Sequence, residues 1–129
     1  KRQVMKRQID TYEAPQLLLY GSGGLYKSHS DSEEYDSASG QWVRRFDRDV
    51  SLLIYLNDKF VGGGLHFAKL NYTYQPVAGD VVFFPSHRLY MHESVPVKQG
   101  VKLALVSWAT FKNGEGGGEL AGLRIPLIR

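Results

Sequence analysis

His29 and Asp31 are separated by one residue, a spacing that on an extended strand puts imidazole and carboxylate on the same face. A pair so placed supplies two sides of the facial triad, in which two His and one carboxylate bind Fe(II) and leave the opposite face open. The second imidazole must then come from a distant strand, and His66, His87 and His92 are the candidates. His92 stands out because the run Pro96-Val97-Lys98-Gln99-Gly100 reads as a turn that folds the next strand back. That turn predicts Lys102 roughly opposite His92 in an antiparallel pair, a cation across from the metal. Taken alone, a His-x-Asp motif reads first as a polar pair on a strand surface, and it is its companions that turn the reading toward a metal site.

The elements that would position these residues read as strands. Gln16 to Tyr20 is an apolar run between Pro15 and the turn Gly21-Ser22-Gly23-Gly24, and Leu25 to Asp31 follows as a second short strand. Arg48 to Leu56 is apolar at nearly every position, as in a strand buried on both faces. Leu65 to Leu70, Val81 to Phe84, Leu89 to Val95, Val101 to Thr110 and Leu123 to Ile128 continue the series, with the pair around the Pro96 turn expected as a hairpin. Ser32 to Asp47 is polar and reads as a long loop of the kind that forms lids or binding loops. Lys1 to Tyr12 carries Val4, Met5 and Ile9 at helical spacing and is expected to be the tail of a helix ended by Pro15. Eight short strands at this spacing predict a mainly β sandwich or jelly roll with a short N-terminal helical remnant.

Composition narrows the function classes. The 129 residues suit one domain, and 14 Gly, 8 Tyr and 6 Phe agree with a β-rich fold. Sixteen Lys and Arg stand against thirteen Asp and Glu, a net charge of +3 too dispersed to imply nucleic acid. With no cysteine, thiolate metal sites and cysteine nucleophiles are excluded, so any metal must be held by His, Asp or Glu. No apolar run reaches the ~20 residues that span a bilayer, so a soluble protein with no membrane partner is expected, a cytoplasmic setting being favoured. Gly21 to Gly24 is not a phosphate loop, because no Lys-Ser/Thr follows it at the required spacing. Asn71-Tyr72-Thr73 satisfies the glycosylation sequon, which matters only in a secreted chain.

Several blocks in order now carry a resemblance. They are Tyr20-Gly21-Ser22-Gly23-Gly24-Leu25-Tyr26-Lys27-Ser28-His29-Ser30-Asp31, then Arg48-Asp49-Val50-Ser51 running into Tyr55-Leu56-Asn57, then Gly62-Gly63-Gly64-Leu65. Pro76-Val77-Ala78-Gly79-Asp80 leading to Phe83-Phe84 follows, and last His92 through Pro96-Val97, Gly100 and Lys102 to Trp108. Over Leu17 to Thr110 the sequence resembles the Fe(II)- and 2-oxoglutarate-dependent dioxygenases, in particular their prolyl 4-hydroxylase-like branch. The resemblance implies a double-stranded β-helix core, here residues 16–110 of a single catalytic domain spanning 1–129, with N-terminal helices missing from the chain.

By the same resemblance His29, Asp31 and His92 match the iron ligands. Lys102, ten residues after His92, matches the cation that pairs with the distal carboxylate of 2-oxoglutarate, and Tyr20, nine before His29, matches a tyrosine that bonds the same carboxylate. Arg48 matches an arginine lining the peptide-substrate site, Trp108 an aromatic near the target residue, and Tyr26 a further pocket position. Ser51 stands where many relatives have Thr, and Gly64 where many have Glu. Lys102, Ala104, Val106 and Trp108 alternate along one strand, so lysine and tryptophan are expected on one interior face. The implied reaction is hydroxylation of an unactivated C–H, most readily of a prolyl residue in a protein or peptide, with Fe(II), 2-oxoglutarate and O2, and with ascorbate as a further cofactor. The presence of Asp31 favours hydroxylation over the halogenation of relatives that lack this carboxylate. The alternatives are a hydroxylase of another residue or small metabolite, or a non-catalytic jelly-roll binding domain. His66 and His87 match no motif position and are expected at the surface or rim.

Overall fold

The computed structural model describes residues 7–112 and the backbone of Leu127–Ile128. Its strands follow in the order β1 (Ile9–Tyr12), β2 (Gln16–Tyr20), β3 (Tyr26–His29), β4 (Glu33–Asp36), β5 (Gln41–Arg44), β6 (Val50–Tyr55), β7 (Phe60–Gly62) and β8 (Leu65–Phe67). After the 3-10 turn Ala68–Leu70 come β9 (Tyr72–Tyr74) and β10 (Val81–Pro85), and after a second such turn, Arg88–Tyr90, come β11 (His92–Ser94), β12 (Val97–Gly100), β13 (Lys102–Phe111) and β14 (Leu127–Ile128). A major antiparallel sheet has the order β1-β13-β6-β10-β14 with β2 also on β13, and a minor sheet has the order β3-β11-β8-β9. This is the expected mainly β, double-stranded β-helix core.

The alternation of strand side chains builds the space between the sheets. Leu53 and Tyr55 of β6, Val82 and Phe84 of β10, and Ala104 and Val106 of β13 face inward and meet Leu65, Phe67, Tyr74 and Tyr90 in one buried cluster. The opposite faces of the same strands contribute Val50, Phe83, Ala109 and Phe111 to a second cluster. β6 and β10 are therefore apolar on both faces because both faces are packed.

Four expectations need correction. Residues 9–12 are strand β1, not the end of a helix: β13 is long enough to offer an edge beyond β2, and Ile9, Thr11 and Tyr12 pair with Phe111, Thr110 and Ala109. The free backbone groups of that edge outweigh a weak helical spacing rich in β-favouring residues; residues 1–6 lie outside the described part. The polar segment Ser32 to Asp47 is not a plain loop but contains the hairpin β4–β5, with Tyr35 opposite Trp42. Strands so rich in charged residues and only half-buried carry no clear apolar alternation, which is why the pattern missed them.

The third correction concerns β11 and β13. They are not a hairpin: β12 pairs with β7, Gly100 turns at φ 88, and β13 enters the other sheet. His92 therefore stands opposite His29, and Lys102 opposite Tyr20. The fourth is that Leu65 to Leu70 is strand only as far as Phe67. Of the last predicted strand, Leu127–Ile128 pairs with β10, and residues 123–126 lie outside the described part.

Candidate metal and dicarboxylate site

β3 and β11 are neighbours in the minor sheet, and their register places the two imidazoles side by side, ring centroids 4.5 Å apart. Asp31 follows the end of β3 and turns inward, its carboxylate buried. His29 Nε2 lies 3.1 Å and His92 Nε2 3.5 Å from Asp31 Oδ1. Donor atoms of the three residues all lie within 4.8 Å of one another, the one such cluster of three or more metal-ligating side chains among the described residues.

The other ring nitrogens fix the tautomers. His29 Nδ1 is 2.7 Å from Lys27 O and His92 Nδ1 is 2.9 Å from Tyr90 O. A carbonyl can only accept, so each Nδ1 carries the hydrogen and each Nε2 presents its lone pair when the ring is neutral. Burial pulls His92 below the usual imidazole range despite the attraction of Asp31, which keeps that lone pair free. Burial pushes Asp31 up, but His92, His29 and the Ser51 hydroxyl more than reverse it, and the carboxyl is held well below the ordinary range. For His29 burial is outweighed by the bond to Asp31 and the Lys27 carbonyl, so its affinity for a proton rises. Two imidazole nitrogens and an ionised carboxylate oxygen converging on one point make a place that attracts a cation, and the donor set is the two-His, one-carboxylate set that suits Fe(II).

The cluster opens into a cavity of about 450 Å³ that also takes in Tyr20, Tyr26, Arg48, Lys102 and Trp108. Lys102, Ala104, Val106 and Trp108 all line it, as their alternation on β13 predicts. Lys102 is 2% exposed; its Nζ donates to Gly63 O at 2.9 Å and to Ser94 Oγ, and lies 4.3 Å from the centre of the Tyr20 ring. Burial lowers its pKa to about 8. The Gly62-Gly63-Gly64 run, read only as a break in the sequence, thus supplies the carbonyl under the ammonium. Gly62 sits at φ 79, and a Cβ there would collide with the Pro96 carbonyl.

At the opposite end of the cavity, Arg48 is clamped. Its Nε and Nη2 donate to Glu13 at 2.5 and 2.8 Å, Nη1 donates to Asp31 O at 3.1 Å, and its guanidinium stacks 3.8 Å from the Trp108 ring and 4.5 Å from that of Phe46. The indole N–H of Trp108 is buried with no hydrogen-bond partner among the described residues.

Eight residues were singled out from sequence, and the structure brings all of them to one cavity. It also adds Tyr55 and Ser94, which sequence reasoning passed over. Tyr55 lies on the inner face of β6 and is 2% exposed, its hydroxyl raised by burial and by the neighbouring Tyr74 and Tyr20; its place one β period beyond Leu53 was the available signal. Ser94 is one period beyond His92 on β11, so the same argument would have found it. His66 bonds Thr73 Oγ1 at 2.7 Å on the exposed side, and His87 accepts from Leu89 N at 3.3 Å; neither lines the cavity.

Residues 15–110 match the model of the 2OG-Fe(II) oxygenase superfamily. The chain is 28% identical over 118 residues to prolyl 4-hydroxylase subunit alpha-1 of Caenorhabditis elegans, covering 84% of this chain and 21% of that protein. Among solved structures it is similar to the viral collagen prolyl hydroxylase of Paramecium bursaria Chlorella virus-1 in its 2OG complex, with 26% identity, a TM-score of 0.63 and coverage of 81% of this chain and 63% of that one. It is likewise similar to a Pseudomonas putida prolyl-4-hydroxylase, at 28% identity and a TM-score of 0.62 over 81% of this chain and 54% of that one. The chain spans less than half the length of the curated relatives it matches. Fold, donor set and sequence match agree, and the chain belongs to the 2OG-Fe(II) oxygenase superfamily.

Proposed function

We propose that the chain is a catalytic domain, with its core at residues 16–110, that hydroxylates an unactivated C–H of a prolyl residue in a protein or peptide, using Fe(II), 2-oxoglutarate and O2. The observation that carries this reading is the convergence of His29 Nε2, His92 Nε2 and Asp31 Oδ1 in the same cavity as a buried, pre-bonded lysine. His29, Asp31 and His92 would hold the metal. Iron with 2-oxoglutarate supplies the oxidising chemistry, and the cosubstrate leaves as succinate and CO2.

The remaining work belongs to the protein's own side chains. Lys102 gives a charge-assisted hydrogen bond to the distal carboxylate, and Tyr20 closes the same pocket. Gly63 O and Ser94 Oγ aim the ammonium before the anion arrives, so little side-chain freedom is lost on binding. Ala104, between Lys102 and the metal-facing wall, leaves room for the chain of the dicarboxylate. Tyr26, Arg48 and Trp108 line the route by which the target residue reaches the metal. The β4–β5 hairpin, which sends Glu34 into the cavity wall, is the lid over a peptide. Similarity to prolyl hydroxylases supports the prolyl substrate. Ascorbate enters this reading as a reductant whose addition sustains turnover.

Anaerobic addition of Fe(II) and 2-oxoglutarate should give a weak visible charge-transfer band that His92→Ala abolishes. Absence of the band in the wild type, or its survival in that variant, would remove the metal site. Proline-rich peptides incubated with the loaded enzyme should gain one oxygen in step with succinate release. Succinate release stimulated only by a free amino acid or a small metabolite would replace the peptide substrate.

A further inference from the structure

Asp31 has two carboxylate oxygens, and the structure treats them differently. Oδ1 faces both imidazole Nε2 atoms. Oδ2 accepts a hydrogen bond from Ser51 Oγ at 2.5 Å, in a pocket where Ser51 is 0% exposed. Ser51 Oγ is also 2.8 Å from Ser86 Oγ, and Ser86 is 2% exposed.

Proton counting gives this chain a direction. An ionised carboxylate can only accept, and a serine hydroxyl has one hydrogen. Ser51 must spend that hydrogen on Asp31 Oδ2, so in its bond with Ser86 it is the acceptor and Ser86 the donor. The order is Ser86 to Ser51 to Asp31, with each donor polarised by the next. The backbone of Ser86 grips the same segment from below: its carbonyl accepts from Ser32 N at 3.0 Å, Ser32 Oγ at 2.9 Å and Ser30 Oγ at 3.1 Å, the two residues flanking Asp31. Ser51 stands on β6 directly between its register partners Phe84 on β10 and Trp108 on β13, so the backbone that carries its hydroxyl is fixed from both sides.

We infer that Ser51 is a positioning residue which, backed by Ser86, holds Asp31 Oδ2 out of the metal's reach so that Asp31 binds through Oδ1 alone. The inference rests on the reading of Asp31 as a metal ligand. A carboxylate that could swing both oxygens toward the metal would use up a coordination position that the cosubstrate or O2 needs. The serine that the resemblance marks as a departure from threonine therefore keeps the one group that matters there, the hydroxyl.

Co(II) serves as the test probe, because its visible d–d absorption reports coordination independently of turnover. Wild type, S51A and S51T would be titrated with Co(II). S51A should bind ~10–100-fold more weakly, the range for removing an outer partner of a metal ligand, and its bound spectrum should change in shape and intensity as Oδ2 is released. S51T, which keeps the hydroxyl, should match the wild type in both. If S51A does not fold, S51C, of similar volume and a poor donor, is read in its place. S51A with wild-type affinity and spectrum overturns the inference, as does S51T losing both to the same extent as S51A. Failure of the wild type to bind Co(II) overturns the metal site itself, and this inference with it.

Discussion

The two ends of the cavity are held by different kinds of interaction. At the metal end Asp31, His92, Ser51 and Lys102 are buried, and each polar atom that matters is committed to a partner in the interior. At the mouth the β4–β5 hairpin is tied down mostly by pairs in contact with water, Arg45 with Glu34 at 3.7 Å, Arg44 with Asp47 at 2.9 Å and Arg88 with Glu33 at 2.8 Å, with Arg44 also reaching the buried Asp49 at 2.9 Å. Buried networks of hydrogen bonds specify one arrangement, whereas exposed ion pairs contribute ~0–1 kcal/mol each. On the proposed function, the chemistry is thus built on the buried part and recognition of the substrate on the water-exposed part. Arg48 joins the two, since one guanidinium touches Asp31 O, Glu13 and the aromatic wall.

The largest effect separating the ends is expected at the ligands. Asp31→Ala and His92→Ala should each lower Co(II) or Fe(II) affinity by more than the ~10–100-fold that attaches to outer partners. Calorimetric titration measures it, and near-normal affinity in either variant would mean that the metal end is not where the structure puts its donors. Phe84→Ala follows. Phe84 is 1% exposed, and its ring packs 4.9 Å from that of His92 and 5.0 Å from that of Phe67. The change should cost ~3–5 kcal/mol in urea unfolding, as for other buried aromatics, and weaken metal binding as well, because the core there is also the backing of a ligand.

Lys102→Met comes next. It should weaken 2-oxoglutarate binding by about 2–3 kcal/mol, the worth of a hydrogen bond to a charged group, and leave Co(II) affinity intact. The same variant exposes a pH signature. Burial lowers the folded-state pKa of Lys102 to about 8, against an ordinary 10.5. Between those values the unfolded chain binds the proton that the folded chain has released, so stability rises with pH across the window. The cost is paid in full below about 8, and relief amounts to at most about 3 kcal/mol. Unfolding midpoints at pH 7.5 and 10 should therefore diverge between wild type and Lys102→Met, the wild type gaining on the variant. Cosubstrate affinity of the free protein should fall over the same rise in pH, since the neutral amine loses its hold on the anion. A flat difference between the two proteins would mean that the ammonium is better solvated than its 2% exposure implies.

How legible each end was in the sequence follows from the same contrast. The buried strands β6, β10 and β13 and the apolar but exposed β2 announce themselves because apolar residues at consecutive or alternate positions have few other uses, and with them come Lys102 and Trp108 on one face. His29 and Asp31 were visible as a same-face pair. Pairing partners were not: the Pro96 to Gly100 segment looks like a hairpin turn, and only the positive φ of Gly100 and the capture of β12 by β7 send β13 to the other sheet. The serine chain behind Asp31 joins residues from three segments far apart in sequence, Ser30 to Ser32, Ser51 and Ser86, and small hydroxyls carry no periodic signal. The hairpin at the mouth was hidden for the opposite reason to the core: its charged residues satisfy a loop and an exposed strand equally well.

The smallest expected effect tests the mouth. Arg88 N and Nη1 donate to the two oxygens of Glu33 at 2.9 and 2.8 Å, a fork that ties β4 to the turn before His92. The Arg88 side chain is 45% exposed, so solvent already competes for it. Arg88→Ala should cost no more than ~1 kcal/mol of stability, and the loss should shrink further as salt is added. Co(II) and 2-oxoglutarate affinities should not change, because the contact that Glu33 makes with the network behind Asp31 runs through its backbone N–H to Ser30 Oγ, which the substitution leaves in place. What should change is the concentration of a prolyl peptide needed for half-maximal turnover, since a looser hairpin must be ordered again each time the peptide binds. The rate at saturating peptide should hold. If Arg88→Ala weakens metal binding as Phe84→Ala does, the hairpin is part of the rigid end and the division between chemistry and recognition fails; if it alters only the peptide requirement, the division stands.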